Sequence, residues 1–337
     1  MSPGQANAWV EVDLGAIQHN LRELSSQLPQ RRLLLDVSCD AHEHGLAQVV
    51  GKIERSSWDV MYRALDQGEA ADMRSVSDAP ILFPYLPGRR SPMRSHAAFV
   101  YVPRGASVED IELESTIIVR LDIDIDLVQT HRAAEQIAEY VKAGVGIRGV
   151  HFGYSPMYSG IHSPMAVELC ADFVDALRAV APVSDVIASM HLAKLDERAD
   201  WFSVAEIRNE IYSLASDDGP EPEGLRLAKA VKTLVNNRRG SLAIIPLGYA
   251  SGLSPVLKGQ PVLIGGEHVP LADIWMHESA CDVAALGDSV HQGDEVVIVG
   301  RQGLASISYV DATRGTDLTP HELLLKLGGG LTRVFVD

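Results

Sequence analysis

Short apolar runs that alternate with amphipathic helical patterns constrain this chain more than any other feature. Residues 8–12 (AWVEV) read as a strand, and Asp13 can cap a helix whose apolar positions Leu14, Ile17 and Leu21 recur at helical spacing. A second strand over 33–38 is followed by a helix beginning near Gly45 (GLAQVVGKI). Further strands are expected at 80–83, 98–102, 116–121 and 149–152 and around 186–190, with helices at 130–143 and 166–180. Strand–helix units of this length point to a parallel sheet, and their number favours a closed (β/α)8 barrel of TIM type over an open sheet.

The pattern changes at 216–224. SDDGPEPEG is acidic and rich in proline and glycine, as a linker is. Beyond it, LAIIPLGY, PVLIGG and DEVVIVG read as short strands separated by glycine turns. Thr319, Pro320 and Glu322 combine an N-cap, a proline at the first helical position and a capping-box glutamate. The expected organisation is an α/β barrel over 13–215, a linker at 216–224 and a β-rich domain over 225–337 that also takes in strand 8–12.

A chain of 337 residues with 46% hydrophobic content can bury cores of this size. A formal charge of −16 argues against nucleic acid and anionic membranes, since a phosphate-binding face is net basic. No apolar run approaches a membrane span, and MSPGQANAW lacks a basic-then-apolar leader pattern, so a cytoplasmic protein is expected. The three cysteines, Cys39, Cys170 and Cys281, lie far apart without CxxC spacing, which disfavours a disulfide framework or a cysteine zinc site.

The opening AWVEVDLGAIQHNL, then AIIPLGYASG, VLIGG, WMHESACDV, GDEVVIVG and LGGGLTRVFVD, resemble the alanine racemase family in order and spacing. The resemblance implies a fold-type III enzyme: the barrel, a C-terminal β domain that recruits the first strand, and a head-to-tail homodimer with shared active sites. It also implies pyridoxal phosphate held as an imine on a lysine, with that lysine and a tyrosine of the second subunit as the two bases.

Residue by residue, the carry-over is incomplete. The family's lysine motif reads like VVKANAYGHG, and this chain reads DVSCDAHEHG, with Ser38 at the lysine and His42 at a tyrosine that helps hold the phosphate. VKTLVNNRRGS runs almost directly into AIIPLGY, so the loop for the second base is missing, and no tyrosine lies between Tyr212 and Tyr249. LDIDIDLV stands where a supporting arginine is expected. The resemblance places Arg208 at the arginine that faces the pyridine nitrogen, Tyr249 at a phosphate-contacting tyrosine and Met276 near the substrate carboxylate. Asn209-Glu210 replaces the Pro-Gly after Arg208, and a glutamate there repels a phosphate.

Covalent cofactor chemistry is therefore not expected, and pyridoxal phosphate could bind only non-covalently, through Arg208 and Tyr249. The barrel mouth instead gathers Cys39, Asp40, His42 and His44 from one loop, His151 and Tyr154 from another, and His191 from a third. Histidines beside a carboxylate can act as acid and base without a cofactor, and Cys39 with a histidine is a candidate nucleophile. No metal is assigned, although Asp40, His42 and His44 at alternate positions resemble a ligand set. A packed barrel histidine is the plainer reading of His151 or His191 taken alone. Lys194 is a helix-surface lysine or a substitute imine lysine. The alternating Asp122, Asp124 and Asp126 read as a solvated or salt-bridged face. The expectation is a repurposed enzyme acting on a small amino-acid-like molecule. The alternatives are an inactive binding or regulatory relative, or a racemase with non-covalent cofactor.

Overall fold

Eight short strands close a parallel barrel, and those whose side chains are described carry apolar residues on both faces. The computed structural model describes residues 7–28, 31–84, 98–103, 107, 116–122, 130–153, 163–181, 183–189, 201–214 and 223–337. The staves are β2 (Arg32–Asp36), β3 (Val60–Arg63), β4 (Ile81–Pro84), β5 (Ala98–Pro103), β6 (Thr116–Asp122), β7 (Gly146–Gly153), β8 (Asp185–Ser189) and β9 (Val204–Ile207). β9 returns to β2, with Ala205 opposite Leu33, which completes the closure.

Alternation sorts each stave into two faces. Leu33, Leu35, Tyr62, Ile117, Val119, Val150, Phe152, Ala205 and Ile207 point outward into the large core shared with the helices. Leu34, Met61, Leu82, Ile118, Ile187 and Val204 point inward and form a separate apolar layer inside the barrel. Burial on both sides is why these strands read as continuous apolar runs rather than as alternating ones.

The first strand, β1 (Ala8–Asp13), is not a stave. It runs antiparallel to β10 (Lys229–Leu234) and parallel to β18 (Thr332–Val336), with Val10 opposite both Val231 and Arg333. Asp13 ends it and caps the helix Leu14–Ser26 by accepting from the N–H of Ala16 at 2.7 Å. The rest of the C-terminal sheet is β11 (Asn237–Arg239), β12 (Leu242–Ile245), β13 (Pro261–Ile264), β14 (Glu267–Ile274), β15 (Ser279–Asp282), β16 (Glu295–Gln302) and β17 (Ala305–Ile307). Its order is β11-β12-β15-β14-β13-β16-β10-β1-β18, with β17 paired to β16. The capping box at Thr319 and Glu322 forms at the head of the helix Pro320–Lys326. The GGG before β18 is a turn. Gly328 has φ +88°, and a Cβ there would lie 2.4 Å from Val10 Cγ2, so no other residue fits.

The expected barrel followed by a β-rich domain is therefore found, with two corrections. β3 and β9 were not anticipated, being four-residue strands that carry Tyr62, Arg63 and Glu206 among their apolar positions. The strand expected over 33–38 ends at Asp36, because the chain then winds into a left-handed turn.

Candidate active site at the barrel mouth

Two residues beyond the apolar layer the barrel interior turns polar. Asp36, Arg63, Arg120, Ser189 and Glu206 follow Leu34, Met61, Ile118, Ile187 and Val204 on the same inward face, and His151 of β7 is opposite Arg120 in register. These positions are at the C-terminal ends of the staves, where barrel enzymes place their chemistry.

Glu206 is the hub. It is buried, and its carboxylate lies 3.0 Å from His151 Nε2, 3.1 Å from Arg63 Nη1 and 3.9 Å from Arg208 Nε. Burial pushes its carboxyl group upward, but His151 and the guanidiniums of Arg208 and Arg63 outweigh this and hold it far below the ordinary carboxylate range. An ionised Glu206 accepts a hydrogen bond from the Nε2–H of His151, which makes Nδ1 the basic nitrogen of that ring. Arg63 Nη1 is also 3.5 Å from Asp36 Oδ2, and Asp36 Oδ1 accepts from the Ser38 hydroxyl at 2.6 Å. One line of contacts thus runs from Ser38 through Asp36, Arg63 and Glu206 to His151.

Of the sequence candidates, Ser38, His151 and Arg208 join this layer. Asp36, Arg63, Arg120 and Glu206 were missed. Their signal was a charged residue within or at the end of an otherwise apolar run, as in LLLD, VMYR, VRLD and VAEIR. Tyr154 and His191 lie outside the described residues, as do Lys194, Asp124 and Asp126.

The loop of Cys39, Asp40, His42 and His44 is built differently from the expected extended strand. Cys39, Asp40, Ala41, His42 and Glu43 all have φ between 53° and 63°, a left-handed helical turn of five non-glycine residues. Each such residue costs about 1–2 kcal/mol, so the turn persists only where its surroundings over-determine it. Asp40 supplies much of that bracing. Its N–H donates to Glu69, its Oδ1 accepts from the N–H of Leu46 at 2.7 Å, and its Oδ2 pairs with Arg333 of β18. Arg333 also pairs with Glu43. The contacts the structure gives Asp40 are thus those of a brace for the turn.

Cys39 does not match an activated nucleophile. Burial and the nearby carboxylates of Glu69 and Asp36 raise its thiol pKa, against thiolate formation. His44 holds its Nδ1 2.9 Å from the carbonyl oxygens of Ala41 and His42, so that nitrogen donates and serves the turn. Its ring stacks on Tyr212 with centroids 4.4 Å apart, and burial followed by Lys229 depresses its pKa well below the usual value. The ring of His42 packs 4.9 Å from Tyr212, and its buried Nδ1 has no hydrogen-bond partner among the described residues. Burial lowers its pKa, as do His321 and Arg63, with Asp36 opposing. Asp40, His42 and His44 thus do not converge on a metal, and no group of three metal-binding side chains occurs among the described residues.

Two further candidates sit apart from this layer. Tyr249 and Met276 are about half exposed on neighbouring turns of the C-terminal sheet, joined by bonds from Tyr249 N to Trp275 O and from Ala250 N to Met276 O. After β9, Glu210 folds its carboxylate back to accept from the backbone N–H of Arg208 at 2.8 Å.

Comparison with known proteins places this geometry in a family. Residues 231–335 match the family described as alanine racemase, C-terminal domain. The chain is 25% identical to the alanine racemase of Desulfosudis oleivorans and 26% identical to that of Nostoc sp.; in both cases the match covers 98% of this chain and 96% of the relative. Among solved structures it is similar to the alanine racemase from Bacillus anthracis with bound L-Ala-P, with a TM-score of 0.82 and 19% identity. That match covers 100% of this chain and 96% of that one. The alanine racemase of Streptomyces lavendulae gives a TM-score of 0.81 at 20% identity, covering 100% and 98%. With residues 231–335 matching that C-terminal domain and relatives aligned across nearly the whole chain at 25–26% identity, these likenesses support membership of the alanine racemase family.

Proposed function

We propose that this member of the family works without an imine-linked pyridoxal phosphate, as an enzyme acting on a small amino-acid-like molecule at the barrel mouth. The observation that carries the reading is Ser38. At the position where the resemblance implies the imine lysine, a serine donates its hydroxyl to Asp36 at 2.6 Å. Neither the hydroxyl nor any described lysine supplies the amine there. Lys52, Lys232, Lys258 and Lys326 pair with surface carboxylates, Lys142 ends a helix and Lys229 donates to the carbonyl of Leu324.

The phosphate end fits no better. A carboxylate already occupies the backbone N–H of Arg208, so a phosphate approaching that turn meets like charge. Tyr249 is half exposed on the C-terminal sheet, which also disfavours a cofactor held non-covalently between it and Arg208. The residues present therefore do not fit pyridoxal phosphate.

The remaining chemistry is proton transfer. Glu206 fixes the ring orientation of His151 through a 3.0 Å contact, the arrangement a general acid–base histidine needs. The alternative of a binding protein without catalysis is favoured by the near-complete burial of that pair. We read the partner as a second copy, supported by Tyr249, Trp275 and Met276, which expose adjacent apolar surface. No helix among the described residues is long and apolar enough to cross a membrane.

Titrating the purified protein with pyridoxal phosphate, followed by borohydride reduction and intact mass, tests the reading. No imine absorption band and no reduced adduct are expected. A lysine adduct would overturn the proposal, and mapping it would identify the amine.

A further inference from the structure

We infer that the left-handed turn Ser38–Glu43 is an acid-sensitive latch, released when the buried rings of His42 and His44 take up protons. The latch depends on what packs behind the turn and not on which molecule the barrel mouth binds.

Proton placement carries the argument. His44 Nδ1 lies 2.9 Å from two carbonyl oxygens, so it already holds the ring's hydrogen and a second proton can go only to Nε2. That nitrogen is buried without a hydrogen-bond partner among the described residues, and so is Nδ1 of His42. A neutral ring loses little by this, since an unprotonated nitrogen forgoes only an acceptor site. A charged ring would be a buried cation with an N–H that meets no acceptor, a costly state.

The charges described around the rings are mostly of the wrong sign. Lys229 of β10 and His42 repel a proton on His44. His321 of the helix Pro320–Lys326 and Arg63 of β3 repel one on His42, with Asp36 and a bond to the Asn209 side chain opposing them. Asp36 is itself engaged by Arg63 and Ser38. The carboxylates of the turn, Asp40 and Glu43, pair with Arg333, and Glu69 accepts from the N–H of Asp40. Both rings also pack on Tyr212, so charging both adds mutual repulsion.

Strain decides what gives way. The turn holds five residues at positive φ, and the ring of His44 fastens it through the carbonyls of Ala41 and His42. The fastener is thus also a group that acid charges. Opening lets the rings reach water and the backbone leave the left-handed region, so two gains coincide. Burial holds both rings below their ordinary value near about 6.5, so the open form binds more protons as pH falls below it. The closed turn is fully stable above that pH and loses stability on acidification, while Glu206 stays ionised. Opening takes Ser38 away from Asp36 and so alters the edge of the mouth.

Hydrogen exchange of the full chain, corrected for intrinsic rates and compared at about pH 7.5 and about pH 5, tests the latch. The reporters are the N–H groups of His44, Gly45 and Leu46, which donate to Ala41 O, Asp40 O and Asp40 Oδ1. Their protection should fall by about tenfold or more, with a much smaller change in β16. His42→Gln and His44→Gln each remove one proton site and should flatten this pH dependence severalfold. Because His44 also fastens the turn, the slope with pH is the reading, not the level of protection. Imidazole resonances of the unmodified protein decide the matter if those variants lose the turn: both rings should be neutral in the closed form at about pH 5.5. Unchanged reporter protection, or charged rings in a closed turn, overturns the proposal. Equal loss in the turn and in β16 overturns it in favour of global acid unfolding.

Discussion

Glu206 concentrates more of the interior electrostatics than any other single side chain described. A buried carboxylate without partners would protonate, but this one faces His151, Arg63 and Arg208 within 4 Å and stays ionised. Glu206→Gln keeps the volume and removes the charge, leaving two guanidiniums facing a neutral amide. We expect it to destabilise the fold by about 3–5 kcal/mol, the usual cost of breaking a buried pair from one side, read by urea unfolding. The pH dependence follows from the depressed carboxyl group. Its contribution is complete above the unfolded value near about pH 4.3 and is lost as pH falls towards the lower folded value. The wild-type advantage over the Gln variant should therefore shrink on acidification below about pH 4. An advantage that is the same at pH 7 and pH 3 would mean the carboxylate is not held ionised by its neighbours.

At the scale of elements, the left-handed turn is the least ordinary piece of the molecule, and its sign can be tested. Glycine is the one residue that adopts positive φ without strain. Cys39→Gly should therefore raise stability by about 0.5–1 kcal/mol, the relief of strain less glycine's extra chain entropy. Ala47→Gly, exposed in the right-handed helix Leu46–Glu54, should lower it by about 1 kcal/mol. Equal losses in both variants would refute the strain. This turn also marks where the sequence stopped being legible. The barrel could be read because strand and helix periods are local, and most of the anticipated staves fall within a few residues of the observed ones. The turn could not, since SCDAHE holds neither glycine nor asparagine to announce positive φ. It is held by Arg333, which is 293 residues from Asp40, a distance across which no periodicity speaks. The same limit hid Glu206, an isolated acid in a strand of four that gains meaning only opposite His151, 55 residues away.

At the scale of the whole molecule, barrel and C-terminal sheet are locked together where β1, β10 and β18 pass beside that turn, and Lys229 is buried at the junction. Its ammonium donates to the carbonyl of Leu324 at 2.7 Å, near the C-terminal end of the helix Pro320–Lys326, a favourable place for a cation. Burial nevertheless lowers its pKa to about 8, with Glu43 and Asp40 pulling it up and Arg333 pushing it down. A lysine whose folded pKa lies below its unfolded value of about 10.4 binds more protons unfolded than folded between the two values. Stability therefore rises with pH across that window, on the order of 3 kcal/mol in all, and the folded protein carries that penalty at neutral pH. Lys229→Met removes the buried charge and keeps the length, at the loss of one hydrogen bond of about 1 kcal/mol. We expect the Met variant to be more stable than wild type by about 1–2 kcal/mol at pH 7, with the difference vanishing or reversing as pH approaches 10. Paired denaturation curves at the two pH values isolate Lys229, since every other titrating group is common to both proteins. A wild type that is the more stable at pH 7 would show that the bond to Leu324 outweighs desolvation, and that the junction is held by its buried cation rather than in spite of it.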